Sequence, residues 1–234
     1  MTTVVLPTEI NQTLPIIPLD WAKIQTVFLD MDGTLLDLHF DNHFWLEHLP
    51  HRLATQKSIA PQDAKNLVNQ HCDVLEGTLN WYCLDYWHDL LGVDLVPLKH
   101  EIADRIAVRA HVEAFLTHLK ALNKRVILLT NAHQKSINVK FNYINLAHYF
   151  DRIITSHQLG LAKEHPDFWK KLATIESFDK QSSLFIDDNL QVLRSAKAYG
   201  VAHLLAIRKP DSKLPPKDTA EFTALSCYTQ LMHS

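Results

Sequence analysis

The chain is poor in the residues that build disulfide scaffolds and flexible tracts, with 3 cysteines and 5 glycines in 234 residues. Cys72, Cys83 and Cys227 are odd in number, widely spaced and free of any CxxC pair. That pattern suits a reducing cytoplasm, with Cys72 and Cys83 packing helices. No block of lysine and arginine is present and the formal net charge is -3, so there is no electrostatic case for nucleic-acid binding. No apolar run is long enough to cross a bilayer. Residues 1–20 hold Pro7, Glu9, Pro15, Pro18 and Asp20 but no Lys or Arg, and read neither as a signal peptide nor as a membrane span. The expectation is a soluble cytoplasmic protein. Internal repeats and low-complexity segments are lacking. Histidine is plentiful at 15, but without zinc-ligand spacing, and reads as surface or satisfied core.

What is present is an ordinary globular composition, 47% hydrophobic and 21% charged, in a length that fits one large domain or two small ones. One stretch stands apart. Val27, Phe28 and Leu29 form a short apolar run that stops at two acids, Asp30 and Asp32, followed by Gly33 and Thr34. Such a run reads as a strand buried on both faces. Acids ending a core strand are costly unless a cation meets them. At the carboxyl end of a parallel strand, the usual answer is a metal with a phosphate.

After this first strand, about 24–30, the next convincing strand is Arg125 to Thr130. A βαβ crossover needs only about 30 residues, so the long interval is an insertion. It reads as helical. One helix is expected around Asp41 to Leu53, a second from Pro61 through Leu75, and a third over Trp81 to Leu91 with Asn80 as cap and Gly92 as stop. A fourth is expected from about Pro97 to Val108, before an amphipathic helix carrying Val112, Phe115, Leu116, Leu119 and Leu122. Beyond Thr130, helices near 134–146, 166–176 and 189–199 alternate with strands Arg152–Thr155, Ser183–Asp187 and Ala202–Ala206. Alternation of this kind predicts a parallel sheet with helices on both faces. The tail after Arg208, with Pro210, Pro215 and Pro216, reads as a loosely packed extension with a last helix over 219–232.

Polar residues of the right kinds close three of these strands: Asp30 and Asp32, then Thr130 and Asn131, then Asp187 and Asp188, with Lys163 between the last two. Four carboxylates, a hydroxyl and an ammonium would converge on one sheet edge. Oxygen-only ligands favour Mg²⁺, and the cation with the lysine would make a socket for a phosphoryl group.

Asp30-Met31-Asp32-Gly33-Thr34, Leu129-Thr130-Asn131, Lys163 and Ile186-Asp187-Asp188 resemble, in order, the four motifs of the haloacid dehalogenase superfamily of phosphohydrolases. The resemblance spans roughly residues 24–207. It implies a Rossmann-like α/β parallel sheet flanked by helices, with an inserted α-helical cap domain of the first type. The corresponding boundaries are a core of 22–38 plus 113–210, a cap of 39–112 and an extension of 211–234. By motif position, Asp30 would be the nucleophile and Asp32 the general acid and base. Thr130, with the backbone N–H groups of Met31, Asp32 and Asn131, would hold phosphate oxygens, and Lys163 would balance charge. Asp30, the Asp32 carbonyl and one of the final acids would bind Mg²⁺, Asp188 directly and Asp187 through water or the lysine. The family commonly has a proline straight after the lysine, whereas Glu164 and His165 precede Pro166 here.

The insert carries the substrate question. Asp37 to Trp45 and Asn80 to Trp87 are its most distinctive segments, and both resemble the bacterial GMP/IMP nucleotidase branch. That likeness implies a small phosphomonoester, a purine 5′-nucleotide, with Asn80, Trp81, Asp85, Phe40 and Asn42 as candidate contacts. The aromatics admit two readings, stacking on a base or packing the helices together, since Trp81, Leu84 and Trp87 suit both. A sugar-phosphate phosphatase or mutase on the same fold stays open. A carbon–halogen dehalogenase would not need Asp32, and a non-enzymatic phosphate-binding module would lack a nucleophile.

Overall fold

The structure is a computed structural model that describes residues 14–232. The reading of residues 1–20 therefore lies outside the described residues for 1–13, as does that of the extension at 233–234.

Six parallel strands form the sheet: β1 (Thr26–Leu29), β2 (Arg125–Thr130), β3 (Arg152–Thr155), β4 (Ser183–Asp187), β5 (His203–Ile207) and β6 (Thr223–Leu225), in the order β3-β2-β1-β4-β5-β6. Leu29 pairs with Leu128 on one side and Ile186 on the other, which makes β1 central. Side chains alternate across the pleat. Val27, Leu29, Val126, Leu128, Leu184 and Ile186 face one buried layer, built on Phe115, Leu116 and Leu119 of the helix Val112–Ala121. Phe28, Ile127, Leu129, Ile154 and Phe185 face the other, built on Trp169 and Leu172 of the helix Phe168–Ile175 and Val192, Leu193 and Ala196 of the helix Leu190–Tyr199. Two covered faces explain why the strands read as unbroken apolar runs. The chain adds β2 and β3 on one side of β1, then returns to add β4 and β5 on the other. That reversal opens a crevice at the carboxyl ends of β1 and β4.

The inserted helices enclose a third core of Phe40, Phe44, Leu53, Val68, Trp87 and Leu91. Several of their bounds differ from the sequence expectation. The first helix begins earlier, at His39–His43, and runs through a π-helical turn, Phe44–His48, into Leu49–Lys57. Trp81 to Leu91 is two helices, Leu79–Tyr82 and Leu84–Leu91, broken at Cys83 in extended conformation. Thr78 caps the first by accepting from the Trp81 N–H at 3.4 Å, so Asn80 lies inside the helix and is not its cap. The helix expected from Pro97 is Leu95–His100, capped by Asp94, followed by a single 3₁₀ turn at Ala103–Arg105.

The tail departs most. In place of a helix over 219–232, residues Thr223–Leu225 add β6 and Tyr228–Leu231 make a 3₁₀ turn. Phe222, Leu225, Tyr228 and Leu231 are buried, so the tail is not loosely packed. The open edge of β5 offers unpaired backbone groups, which β6 satisfies. Tyr228 stacks on Phe115 with ring centroids 4.9 Å apart and donates its hydroxyl to the Thr34 carbonyl at 3.0 Å. The tail thereby braces the loop that follows β1.

Candidate active site

The Asp30 N–H donates to the Ile186 carbonyl at 3.0 Å, which carries the β1–β4 ladder one residue past Leu29 and places the acid at the crevice. The chain then turns tightly, with the N–H groups of Leu35 and Leu36 both donating to the Met31 carbonyl. Gly33 sits at φ +79°, and a Cβ there would lie 2.7 Å from Asp188 Cγ, so only glycine lets this turn approach the end of β4. Thr130 ends β2 fully buried, its hydroxyl accepting from the Ala132 N–H at 3.0 Å. Asp187 ends β4 and accepts from the Asn189 N–H at 2.7 Å, which starts the helix Leu190–Tyr199.

Lys163 reaches into this corner from the loop after the helix Ser156–Leu159. Its ammonium donates to Asp30 Oδ1 at 2.6 Å, Asp187 Oδ2 at 2.7 Å and the Leu129 carbonyl at 3.1 Å, using all three protons. The Lys163 N–H donates to Asn131 Oδ1 at 2.9 Å, so Asn131 fixes the lysine's backbone. Asp30, Asp187 and Asp188 each offer an oxygen within 4.8 Å of the others. Burial pushes Asp30 up to about 7, with Asp187 adding to the rise against the pull of Lys163. Burial likewise lifts Asp187 and Asp188 to about 6. Lys163 is raised despite its burial because Asp187 and Asp30 favour its charge. The corner thus holds more negative charge than Lys163 offsets. An all-oxygen donor set with surplus charge fits a hard divalent cation.

Asp32 faces a second lysine. Lys140, wholly buried on the helix Gln134–Phe141, donates to Asp32 Oδ1 at 2.5 Å and to Asp41 Oδ2 at 2.7 Å. Lys99 completes the chain by donating to Asp41 Oδ1 at 3.1 Å. Burial, reinforced by the neighbouring Asp41, pushes Asp32 up to about 7 against Lys140. For Asp41 burial is outweighed by Lys140 and Lys99, which hold it below the ordinary range.

These groups line a cavity of about 290 Å³ between the sheet edge and the insert, at the lower end of small-molecule sites, ~300–1,000 Å³. Asp30, Asp32, Thr130, Asn131, Lys163, Asp187 and Asp188 all line it, while Met31 adjoins through its backbone, its side chain buried in the core. Of the candidates from the insert, Asn42 and Trp81 line the cavity. Phe40, Asn80 and Asp85 do not. Phe40 is buried beneath Lys99 and Lys140, 5.0 and 5.4 Å from its ring centre. Asn80 is exposed, and Asp85 points outward to an ion pair with Lys135 at 2.5 Å. The break at Cys83 explains this, because it turns Asp85 onto a different face from Trp81. The two aromatic readings also divide: Leu84 and Trp87 are buried packing residues, whereas Trp81 reaches the cavity.

Sequence reasoning missed Lys140, Lys99, Asp41, Trp45, Tyr82, Glu164 and Asn189 as members of the site. The Tyr82 hydroxyl donates to Glu164 Oε1 at 2.6 Å, joining the insert to the loop that carries Lys163. Glu164 also accepts from Asn131 Nδ2 at 2.9 Å and Asn189 Nδ2 at 3.3 Å. The one available signal was Glu164 itself, which occupies the place of the family's usual proline.

A doubly covered parallel sheet, a helical insert after its first strand, and acids with a buried lysine at the strand ends define a phosphoryl-transfer type of α/β hydrolase. The chain belongs to the haloacid dehalogenase-like hydrolases, whose family model matches residues 24–200. It is 37% identical over 214 residues to GMP/IMP nucleotidase YrfG of Escherichia coli (strain K12), covering 92% of this chain and 96% of that protein. Among solved structures, a haloacid dehalogenase phosphatase from Thermococcus onnurineus aligns with a TM-score of 0.71 at 17% identity, covering 88% of this chain and 95% of that one. A family enzyme of Bacteroides thetaiotaomicron, an aspartate-to-alanine variant in complex with magnesium and inorganic phosphate, aligns at 0.56 with 14% identity, over 80% of this chain and 95% of that one. Family and nucleotidase relative together make this chain a phosphomonoester hydrolase. No helix among the described residues is long and apolar enough to cross a membrane.

Proposed function

We propose that the chain is a Mg²⁺-dependent purine 5′-nucleotidase, releasing phosphate from GMP, IMP and their deoxy forms. The observation that carries the chemistry is the joint hold of Lys163 on Asp30 and Asp187, with Asp188 beside them. The substrate class rests on the nucleotidase relative and on Trp45 and Trp81 in the cavity wall. Residues 39–112 act as a cap over a core of 22–38 and 113–210. The three free cysteines suit the cytoplasm as its compartment.

Asp30 attacks phosphorus in line. The bond from phosphorus to the ester oxygen breaks as the Asp30 ester forms. Protonated Asp32 delivers its proton to the departing 5′ oxygen, then takes one from the water that attacks the aspartyl-phosphate and restores Asp30. Thr130, Asn131 and the backbone N–H groups of Met31 and Asp32 hold the phosphate oxygens, and Lys163 offsets charge on nucleophile and phosphate. Asp30, the Asp32 carbonyl and Asp188 would hold Mg²⁺, which would neutralise phosphate charge when bound. The choice of Asp188 as the direct ligand, with Asp187 acting through water or Lys163, follows the family resemblance, and the Lys163–Asp187 contact at 2.7 Å supports it. Tyr82 on Glu164 seats the cap and helps exclude bulk water.

The test is a phosphate-release screen over nucleoside monophosphates and sugar phosphates, with and without EDTA, on wild type and Asp30→Asn. Preference for GMP and IMP, dependence on Mg²⁺ and loss of turnover in a folded Asp30→Asn protein are expected. A phosphosugar preference overturns the substrate, and near wild-type turnover in Asp30→Asn overturns the nucleophile.

A further inference from the structure

Cys83, His133 and His157 come from three separate segments. Cys83 is the extended break between the helices Leu79–Tyr82 and Leu84–Leu91, His133 immediately precedes the helix Gln134–Phe141, and His157 lies in the short helix Ser156–Leu159. Folding brings one donor atom of each to within 4.8 Å of the others. The two imidazoles meet edge to face with centroids 4.8 Å apart. Both ring nitrogens of His157 and Nδ1 of His133 are buried without a hydrogen-bond partner. Buried polar atoms are ordinarily satisfied, so three orphaned nitrogens in one place call for a partner of another kind. Burial lowers the pKa of both rings, His157 to about 4.

We propose that Cys83, His133 and His157 form a second metal site of zinc type, separate from the oxygen-lined corner, clasping the inserted helices to the core. One sulfur and two imidazole nitrogens are borderline-soft donors that suit Zn²⁺ and not Mg²⁺. Bond lengths of about 2.3 Å to sulfur and 2.0–2.1 Å to nitrogen set tetrahedral ligands about 3.4–3.6 Å apart, so the present spread closes by small side-chain shifts. Binding displaces the Cys83 thiol proton to solvent, leaving a thiolate on the metal, so affinity rises with pH. None of the three ligands lines the catalytic cavity, yet their chain neighbours Tyr82 and Ala132 do. Occupancy therefore anchors the Tyr82 segment where it meets Glu164.

The experiment is Zn²⁺ titration of the full chain against a chromophoric chelator in millimolar Mg²⁺, paired with Co²⁺ substitution. One equivalent of Zn²⁺ is expected, with a thiolate-to-cobalt charge-transfer band in the near ultraviolet. Cys83→Ser and His157→Gln are each expected to weaken binding by ~100-fold and Cys83→Ser to abolish the band, at unchanged metal-free melting temperature. Should either variant fail to fold, the wild-type stoichiometry and cobalt spectrum decide. Wild type that takes up no Zn²⁺ under Mg²⁺, a cobalt spectrum without the thiolate band, or folded variants that bind like wild type would each overturn the site.

Discussion

Lys140→Met is the sharpest perturbation of the proposed division of labour between Asp30 and Asp32. Lys140 is 1% exposed and is the cation in contact with Asp32, at 2.5 Å, while Asp41 keeps Lys99 at 3.1 Å. Removing one partner of a buried pair costs about 3–5 kcal/mol. The Asp32 side chain retains 22% exposure toward the cavity and can take up a proton, so the lower end applies, about 3 kcal/mol. For a chain of this size that corresponds to a fall in Tm of about 6–12 °C. Methionine keeps the volume, so the fold persists.

The effect on turnover follows from orientation and sign. Losing the cation raises Asp32 further above its present value of about 7, so the protonated form survives to higher pH. The alkaline limb of kcat/KM, which requires Asp32 as an acid, therefore moves up. At the optimum the carboxyl is no longer held in place. General acid–base catalysis as a whole is worth about 10²–10⁴-fold, so partial loss should be about 10–100-fold in kcat on a nucleotide. p-Nitrophenyl phosphate has a leaving group that needs no proton. Stopped-flow nitrophenol release should then keep its first-turnover rate within about threefold, producing a burst. Equal losses on both substrates with an unmoved alkaline limb would refute the reasoning and reduce Lys140 to a structural lysine.

Two further outcomes are expected. Tyr82→Phe removes the hydroxyl that donates to Glu164 at 2.6 Å; a hydrogen bond to a charged group is worth about 1.5 kcal/mol, so KM for the nucleotide should rise about tenfold with kcat little changed, read from steady-state kinetics. Glu176→Gln tests the opposite end of the sheet, where Glu176 accepts from Arg125 at 2.7 Å and Arg152 at 2.8 Å. Burial opposes its ionisation, but the two arginines prevail and hold it below its ordinary 4.5. The unfolded chain protonates first on acidification, so this contribution is complete above about pH 4.5 and fades as pH falls through the lower folded value. With both arginines partly exposed, a loss of about 1 kcal/mol at pH 7 that vanishes in acid is expected by calorimetry, with kcat unaffected.

The strands were legible because their signal is local. Arg125–Thr130, Arg152–Thr155 and Ser183–Asp187 are apolar runs between helices, and each occupies the bounds its sequence marks. Asp30, Thr130 and Asp187 were legible because each lies at a strand end, and Lys163 because it falls between the last two in the motif order. Lys140 was not, since between Val139 and Phe141 it is a single lysine in no motif, and only the fold brings it to Asp32. The break at Cys83 was hidden for a different reason. Trp81, Leu84 and Trp87 keep helical spacing across it, and what ends the first helix is the extended backbone of one residue. The tail misled through composition: three prolines suggested looseness, but the vacant edge of β5, invisible in sequence, recruits Thr223–Leu225.

How the acids are paired says more about the proposed chemistry than how many there are. Asp32 and Asp41 share Lys140, and Asp41 has Lys99 in addition. Asp30 and Asp187 share Lys163, while Asp188, among the described residues, is paired with Lys217, which donates to its backbone carbonyl and stands 3.5 Å from its carboxylate. The deficit of positive charge therefore falls at the corner of Asp30, Asp187 and Asp188, where Lys163 is shared by two acids and Lys217 stands off the third. A divalent ion drawn to that deficit would sit against the nucleophile and not against the proton donor. Asp32 could then exchange protons through its side chain while its carbonyl faced the metal. The two lysines impose that asymmetry before any substrate arrives. Removing the charge beside Asp32, as in Lys140→Met, is thus expected to disturb proton transfer and leave the metal corner intact.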